Sequence, residues 1–525
     1  MMKQIKCKGC GLSPEERFPY LLLLIAGVME FAFITMESLF SYIGYYLVED
    51  YIIVPCLLFV GYCLSRKFTG FARGRMILAA LAIAWFTVAQ LIHKLSGTAT
   101  HPVGTVFFIY LMAFPFASAA KDEKNIGLRL IGWIFFGASM VHVFYTGLLL
   151  LDKVPEMMYP YLFWDGARLN SFWHPNINSC LFLIGIVFAL FILLRSTNIV
   201  VKVIMGLSVP VQFFCMALTN CRTTLLLTGA FLGVAAFLVI GTKDWNRIAA
   251  GSVVAVMILA GSFSLSGKIY QWHNETLVAK VTAKLEAQAE QEKAAAEAEK
   301  SAQSETEKKP EQSQTEKETA SDKQDAPKED NAGKKEEQSS EYQKAESSGE
   351  SVEIREKYRI SKKTGEVILV SNNGQRGLTT DLKTFNGRTP IWEAALTALR
   401  EHRRIALWGT EDVSFMVTMY RGKEYLHTHN SWLESLMRLG IPGLVIALVF
   451  TGISVAGAWA VVWSPRAELW KKLIAGLTMC ILACGFLEPY LFITNVYYHI
   501  IDFVFFFCTG YLDHWRHMLK NGQTE

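Results

Sequence analysis

The feature that most constrains this chain is a series of apolar runs, each about 20 residues long, separated by short charged breaks. Twenty residues of helix rise about 30 Å, the thickness of a bilayer's hydrocarbon core. In that medium backbone N–H and C=O groups must be satisfied internally, so runs of this kind fold as helices. Twelve spans are expected, near 20–40, 43–65, 76–93, 102–120, 127–150, 175–194, 198–218, 223–241, 248–266, 441–463, 470–488 and 494–512. The fold class is therefore read as an all-α polytopic membrane protein. That excludes a soluble enzyme, a secreted disulfide scaffold and a nucleic-acid binder. Bulk composition understates the point, because residues 283–350 hold 19 Asp or Glu, 11 Lys and almost no large apolar side chains. That stretch carries a net −8, so the chain's formal +4 conceals about +12 elsewhere.

The distribution of cations predicts an orientation. With the N-terminus on the cytoplasmic side, the inner segments hold 20 Lys or Arg, against four in the short outer connections: Lys94, Lys153, Arg168 and Arg222. The bias of cations to the cytoplasmic side then puts both termini inside and residues 267–428 outside. Three regions follow: 1–266 with about nine membrane helices, an outer segment 267–428, and 429–525 with about three more. Within the outer segment, the Ala/Glu/Lys/Gln composition of 279–303 favours a solvated helix. From there to about 349 the polar composition cannot bury a core, so 283–350 reads as a charged helical or disordered spacer. Apolar residues resume after Val352, with Val367 to Val370 and then Ile391 to Leu399 at helical spacing. The segment 352–428 is expected to be a small ordered helical part. The ten cysteines fall mostly in apolar segments, and Cys7 and Cys10 are half a zinc site without a second half nearby. No metal and no cofactor are expected.

Polar groups that collect on the outer face carry the chemistry. Arg168 and Arg222 are exceptions to the charge bias. Arg222 stands immediately before an outward-facing helix start, where free N–H groups and the helix dipole already favour an anion. In Arg388-Thr389-Pro390, Thr389 suits an N-cap and Pro390 the first helical position, so Arg388 is expected at another helix start. His174-Pro175-Asn176 opens a third. Arg, Arg and His at three helix starts on one face describe a site for a phosphate or diphosphate; an Arg snorkelling to headgroup phosphates is the alternative. His427-Thr428-His429-Asn430 leads into Gly440 and Gly443. A His there can serve as general base near neutral pH, although a pair of interfacial histidines also accounts for it. Spaced i and i+2, the two lack the i, i+4 spacing of two metal ligands on one helical face.

Taken in order, Arg168, His174-Pro175-Asn176, Arg222, Gly387-Arg388 with Trp392, and His429-Asn430 ahead of Gly440 and Gly443 resemble the O-antigen ligase and O-antigen polymerase superfamily. The motifs cover roughly residues 160–450, with the large outer loop between the second Arg motif and the His-Asn motif; Cys221 stands where a Ser often precedes the Arg. The resemblance implies a GT-C-like, metal-independent glycosyltransferase of the bacterial plasma membrane. Its donor would be an undecaprenyl-diphosphate-linked glycan, its acceptor a hydroxyl of a glycan, lipid or protein on the outer face, and its other partners membrane lipids. Arg222 and Arg388 would bind the diphosphate, and His429 would activate the acceptor. Arg168, His174, Asn176, His427 and Asn430 would line the substrate site. The ligase subfamily fits slightly better than a repeat-unit polymerase. A lipid-linked-sugar flippase would need midplane polar groups, of which Glu30, His142 and Asp502 are the few candidates.

Overall fold

The computed structural model describes residues 20–21, 23–32, 35, 73–95, 125–151, 163–164, 168–169, 174–240, 245–279, 357–360, 367–370, 388–410, 413–421, 427–492 and 499–521, with isolated positions between 283 and 297. The chain divides into two units, one of residues 1–277 and 377–525, the other of residues 278–376.

Among its described residues, the first unit is helical apart from one pair of two-residue strands. Its helices are α1 (Leu23–Ala32), α2 (Arg73–Leu95), α3 (Ile126–Leu150), α4 (Pro175–Arg195), α5 (Ile199–Leu218), α6 (Arg222–Ile240), α7 (Trp245–His273), α8 (Thr389–Glu401), α9 (Arg403–Trp408), α10 (Val413–Arg421), α11 (Ser431–Trp463), α12 (Leu469–Leu487) and α13 (His499–Lys520). Strands β1 (Phe163–Trp164) and β2 (Arg168–Leu169) pair antiparallel. Seven helices, α3 to α7 with α11 and α12, are long and apolar enough to cross a membrane. The protein is thus an α-helical membrane protein, with seven such spans among the described residues where twelve were expected. The expected spans 43–65 and 102–120 lie outside the described residues. The apolar parts of α1 and α2 are shorter, and α13 carries Asp502, Asp513 and Arg516.

Helix α4 is apolar on every side, which suits a helix surrounded by others. It is the most enclosed span, 83% buried against 6% for the span that begins at Trp245, and it packs on α3, α5, α6 and α12. Gly185 permits the closest approach in this core: a Cβ there would lie 2.0 Å from Gln212 Oε1 and 2.2 Å from Ser139 Oγ. Ser139 donates to Gln212 Oε1 at 2.9 Å, joining α3 to α5 inside the apolar layer.

The span expected at 441–463 begins ten residues earlier, at Ser431, and bends at Gly440 (φ 69°) ahead of Pro442. Gly440 and Gly409 (φ 81°) both adopt the left-handed conformation that glycine tolerates. Their backbones touch across the bend: a Cβ on Gly440 would fall 2.2 Å from Leu407 O, and one on Gly409 2.0 Å from Arg438 O. Carbonyls at the bend find outside donors, Trp85 Nε1 to Leu439 O at 2.9 Å and Thr410 N to Met437 O at 2.7 Å. The ring of Trp408 stacks on that of Trp85. Helices α8 and α10 close a small core of Ile391, Ala395, Ala398, Val413 and Val417 over Met437 of α11.

In the second unit, β3 (Lys357–Ile360) and β4 (Val367–Val370) form an antiparallel pair with Arg359 opposite Ile368. The segment 352–428, read as helical, therefore opens on strands, as the β-branched run Val367, Ile368 and Val370 favours. Its helical part, α8 to α10, belongs to the first unit. The 283–350 stretch lies outside the described residues but for a few isolated positions.

Candidate functional site

One end of the helix bundle gathers most of the residues singled out from sequence. His174 caps α4, its Nδ1 accepting from Asn176 N at 3.3 Å, with Pro175 at the first helical position. The β1–β2 pair delivers Arg168, which donates through Nε to Thr219 O at 2.9 Å and through Nη2 to Asn176 Oδ1 at 2.6 Å. Arg168 thus ties the C-terminus of α5 to the N-terminus of α4. Asn176 passes the connection on, its Nδ2 donating to Glu488 Oε1 at 2.8 Å.

Glu488, the residue that ends α12, is the centre of the cluster. Its Oε1 also pairs with Arg388 Nη2, and its Oε2 accepts from His429 Nδ1 at 3.2 Å. The backbone is held as firmly: Glu488 O accepts from Ser431 Oγ at 3.0 Å. Three chain segments, remote in sequence, converge on one carboxylate whose side chain is 5% exposed.

The His427–Asn430 stretch is pinned from several sides. Trp392 of α8 donates its indole N–H to Thr428 O at 3.0 Å. Thr428 N and Oγ1 both donate to Glu434 Oε2, at 2.8 and 2.9 Å, while Arg438 donates to Glu434 Oε1. Asn430 is the N-cap of α11, accepting from Leu433 N at 2.9 Å and donating to Phe486 O at 3.0 Å. Between them His429 sits at φ 54°, a left-handed conformation uncommon outside glycine. The ring centroids of His427 and His429 are 4.2 Å apart.

Burial and charge polarise these groups. For Glu488, burial is the largest single influence and pushes its carboxyl up. The hydrogen bond and charge of His429, with the charges of Arg388 and His427, outweigh it and hold the group down at about 2. Burial, with the nearby charge of Arg168, lowers His174 to about 4. Burial, with the neighbouring His429, lowers His427 to about 4. The cluster near neutral pH therefore contains a fixed carboxylate, fixed guanidiniums and two neutral imidazoles.

The structure brings Arg168, His174, Asn176, Arg388, His427, His429 and Asn430 together. Arg222 is the first residue of α6 at the same end, beside Cys221, whose Sγ contacts Thr224 Oγ1 at 3.3 Å. One local expectation is corrected: α8 starts at Thr389, and Arg388 itself is the N-cap, its carbonyl accepting from Ile391 N and Trp392 N. Pro390, which has no N–H, leaves one donor fewer to be capped, so no side-chain cap is needed there.

Glu488 was missed because it was counted as the last residue of the span 470–488. A signal for it existed. A carboxylate at a helix C-terminus opposes the helix dipole, as an Arg opposes it at an N-terminus, so it too demands a compensating partner.

The fold and this cluster define an α-helical membrane protein with an Arg–Glu–His centre, built on a buried carboxylate, at one end of its bundle. Its sequence matches no protein-family model and no curated protein.

Proposed function

We propose that the protein is an O-antigen ligase-like membrane glycosyltransferase, moving a glycan from undecaprenyl diphosphate to an acceptor hydroxyl on the outer face of the bacterial plasma membrane. The observation that carries this reading is the convergence of Arg388 and His429 with Arg168, His174 and Asn176 at one end of a membrane helix bundle. Cleaving a sugar–diphosphate bond builds negative charge on the departing oxygen, and cations placed there before reaction stabilise that state. Arg388 and Arg222, each at a helix start, supply such charge, and a guanidinium fork matches a diphosphate in geometry. His429 takes the proton of the acceptor hydroxyl as the new glycosidic bond forms. The leaving group is already activated, so the reaction requires neither nucleotide nor metal.

The test is transfer in vitro from purified lipid-linked donor. His429→Ala should abolish transfer while donor binding largely persists. Arg388→Lys should lower the rate by roughly 10²–10³, the usual cost of one lost electrostatic contact. EDTA should have no effect. Wild-type rates in both variants, or arrest by EDTA, would overturn the reading.

A further inference from the structure

We propose that Glu488 is the positioning residue of this site, its carboxylate coupling the guanidinium of Arg388 to the ring of His429. Each oxygen has its own task. Oε1 takes Arg388 and Asn176, and Oε2 takes His429 Nδ1. A ring that donates its Nδ1–H to a carboxylate carries its lone pair on Nε2, so Glu488 fixes both the tautomer and the orientation of His429. Arg388 competes with the ring for the charge of the same carboxylate. An anion that engages Arg388 would release the carboxylate to the imidazole and make Nε2 a better proton acceptor. The transferase reading enters only in naming that anion as a diphosphate.

Among the described residues, the nearby charged groups have partners of their own or are neutral. His174 and His427 are neutral near pH 7. Glu434 is occupied by Thr428 and Arg438, and Arg168 by Thr219 and Asn176. Glu488 and Arg388 remain as the charged pair that faces His429.

Diethylpyrocarbonate, which acylates neutral imidazole, tests this on the purified full-length chain in detergent at pH 6, with mass spectrometry reading each histidine. The side chain of His429 is 28% exposed, enough for the reagent to reach it. In Glu488→Gln, His429 should be acylated severalfold faster, because a neutral amide replaces the carboxylate that accepts from its Nδ1. In Arg388→Gln it should be acylated more slowly than in the wild type, because no guanidinium then competes with the ring for the carboxylate. Glu488→Asp should stay near the wild-type rate. Exposed His402, which pairs with Tyr420, should react equally in all four proteins. A purely structural role for Glu488 predicts that Glu488→Gln and Arg388→Gln both loosen the site and both react faster; that result, or unchanged rates, overturns the proposal. If Glu488→Gln fails to fold, the direction of change in Arg388→Gln decides. Acylation needs no glycan transfer, so losing the transferase reading would leave this coupling intact, and the reverse also holds.

Discussion

Helix α12 has a glutamate at each end, and each approaches an arginine, yet the two ends work differently. Glu468 stands at the N-terminus, where the dipole favours a carboxylate. Its side chain is 51% exposed, and its ion pairs are long, 4.0 Å to Arg195 and 3.8 Å to Lys471. The cations there rest on aromatic faces instead: Arg195 and Lys471 lie 5.1 and 5.2 Å from the ring centre of Trp470. Glu488 stands at the C-terminus, where the dipole opposes it, and is buried with three side-chain donors. The helix dipole would rank the two the other way round. Partners from distant segments, acting where water is excluded, overrule it.

The sharpest way to break this contrast is to truncate each glutamate. Glu488→Ala leaves Arg388 buried beside no carboxylate and should cost about 3–5 kcal/mol in unfolding free energy. Glu468→Ala should cost under about 1 kcal/mol, since exposed pairs are screened. Thermal unfolding in detergent compares them, and equal losses would end the distinction.

Acid sharpens it further. His174 and His427 are held near 4 in the folded protein, below the ordinary 6.5. As pH falls from 6.5 towards 4 the unfolded chain takes up protons that the folded chain refuses, so stability drops by up to about 3 kcal/mol for each ring. Glu488, held at about 2 against an ordinary 4.5, adds stability that is complete above pH 4.5 and vanishes as pH falls towards 2. Unfolding measured across this range should show two successive losses, and His427→Gln should shrink the first. A smaller effect than these acid losses belongs to the N-cap of α11: Asn430→Ala should cost about 1 kcal/mol. It should leave the α12 N-terminus, with Trp470 and Lys471, unaltered by local hydrogen exchange.

What could be read in the sequence follows interaction range. Spans such as α3, α4 and α6 are continuous apolar runs, and the caps His174 and Asn430 act within three residues, so both kinds of feature are visible locally. Helix α11 was expected to start at 441 because Gly440 and Pro442 do break it; the residues before them form a further stretch of helix that turns away from the span. Glu488 was invisible to a local pattern because Arg388, His429 and Asn176 come from 100, 59 and 312 residues away. The strand pair 357–360 and 367–370 was read with the helices that follow because only its second strand shows a clear β-branched run.

The backbone of His429 has a consequence for anyone who mutates this protein in search of robustness. A left-handed φ of 54° costs an ordinary residue about 1 kcal/mol that glycine does not lose. Between two variants that both lack the imidazole, His429→Gly should therefore be the more stable and His429→Ala the less. A library screened for heat tolerance alone would drift towards glycine at this position and discard the ring, whereas one screened for survival on function would retain it. The two selections pull apart at a single residue, which makes that residue a marker for which of them shaped a given variant.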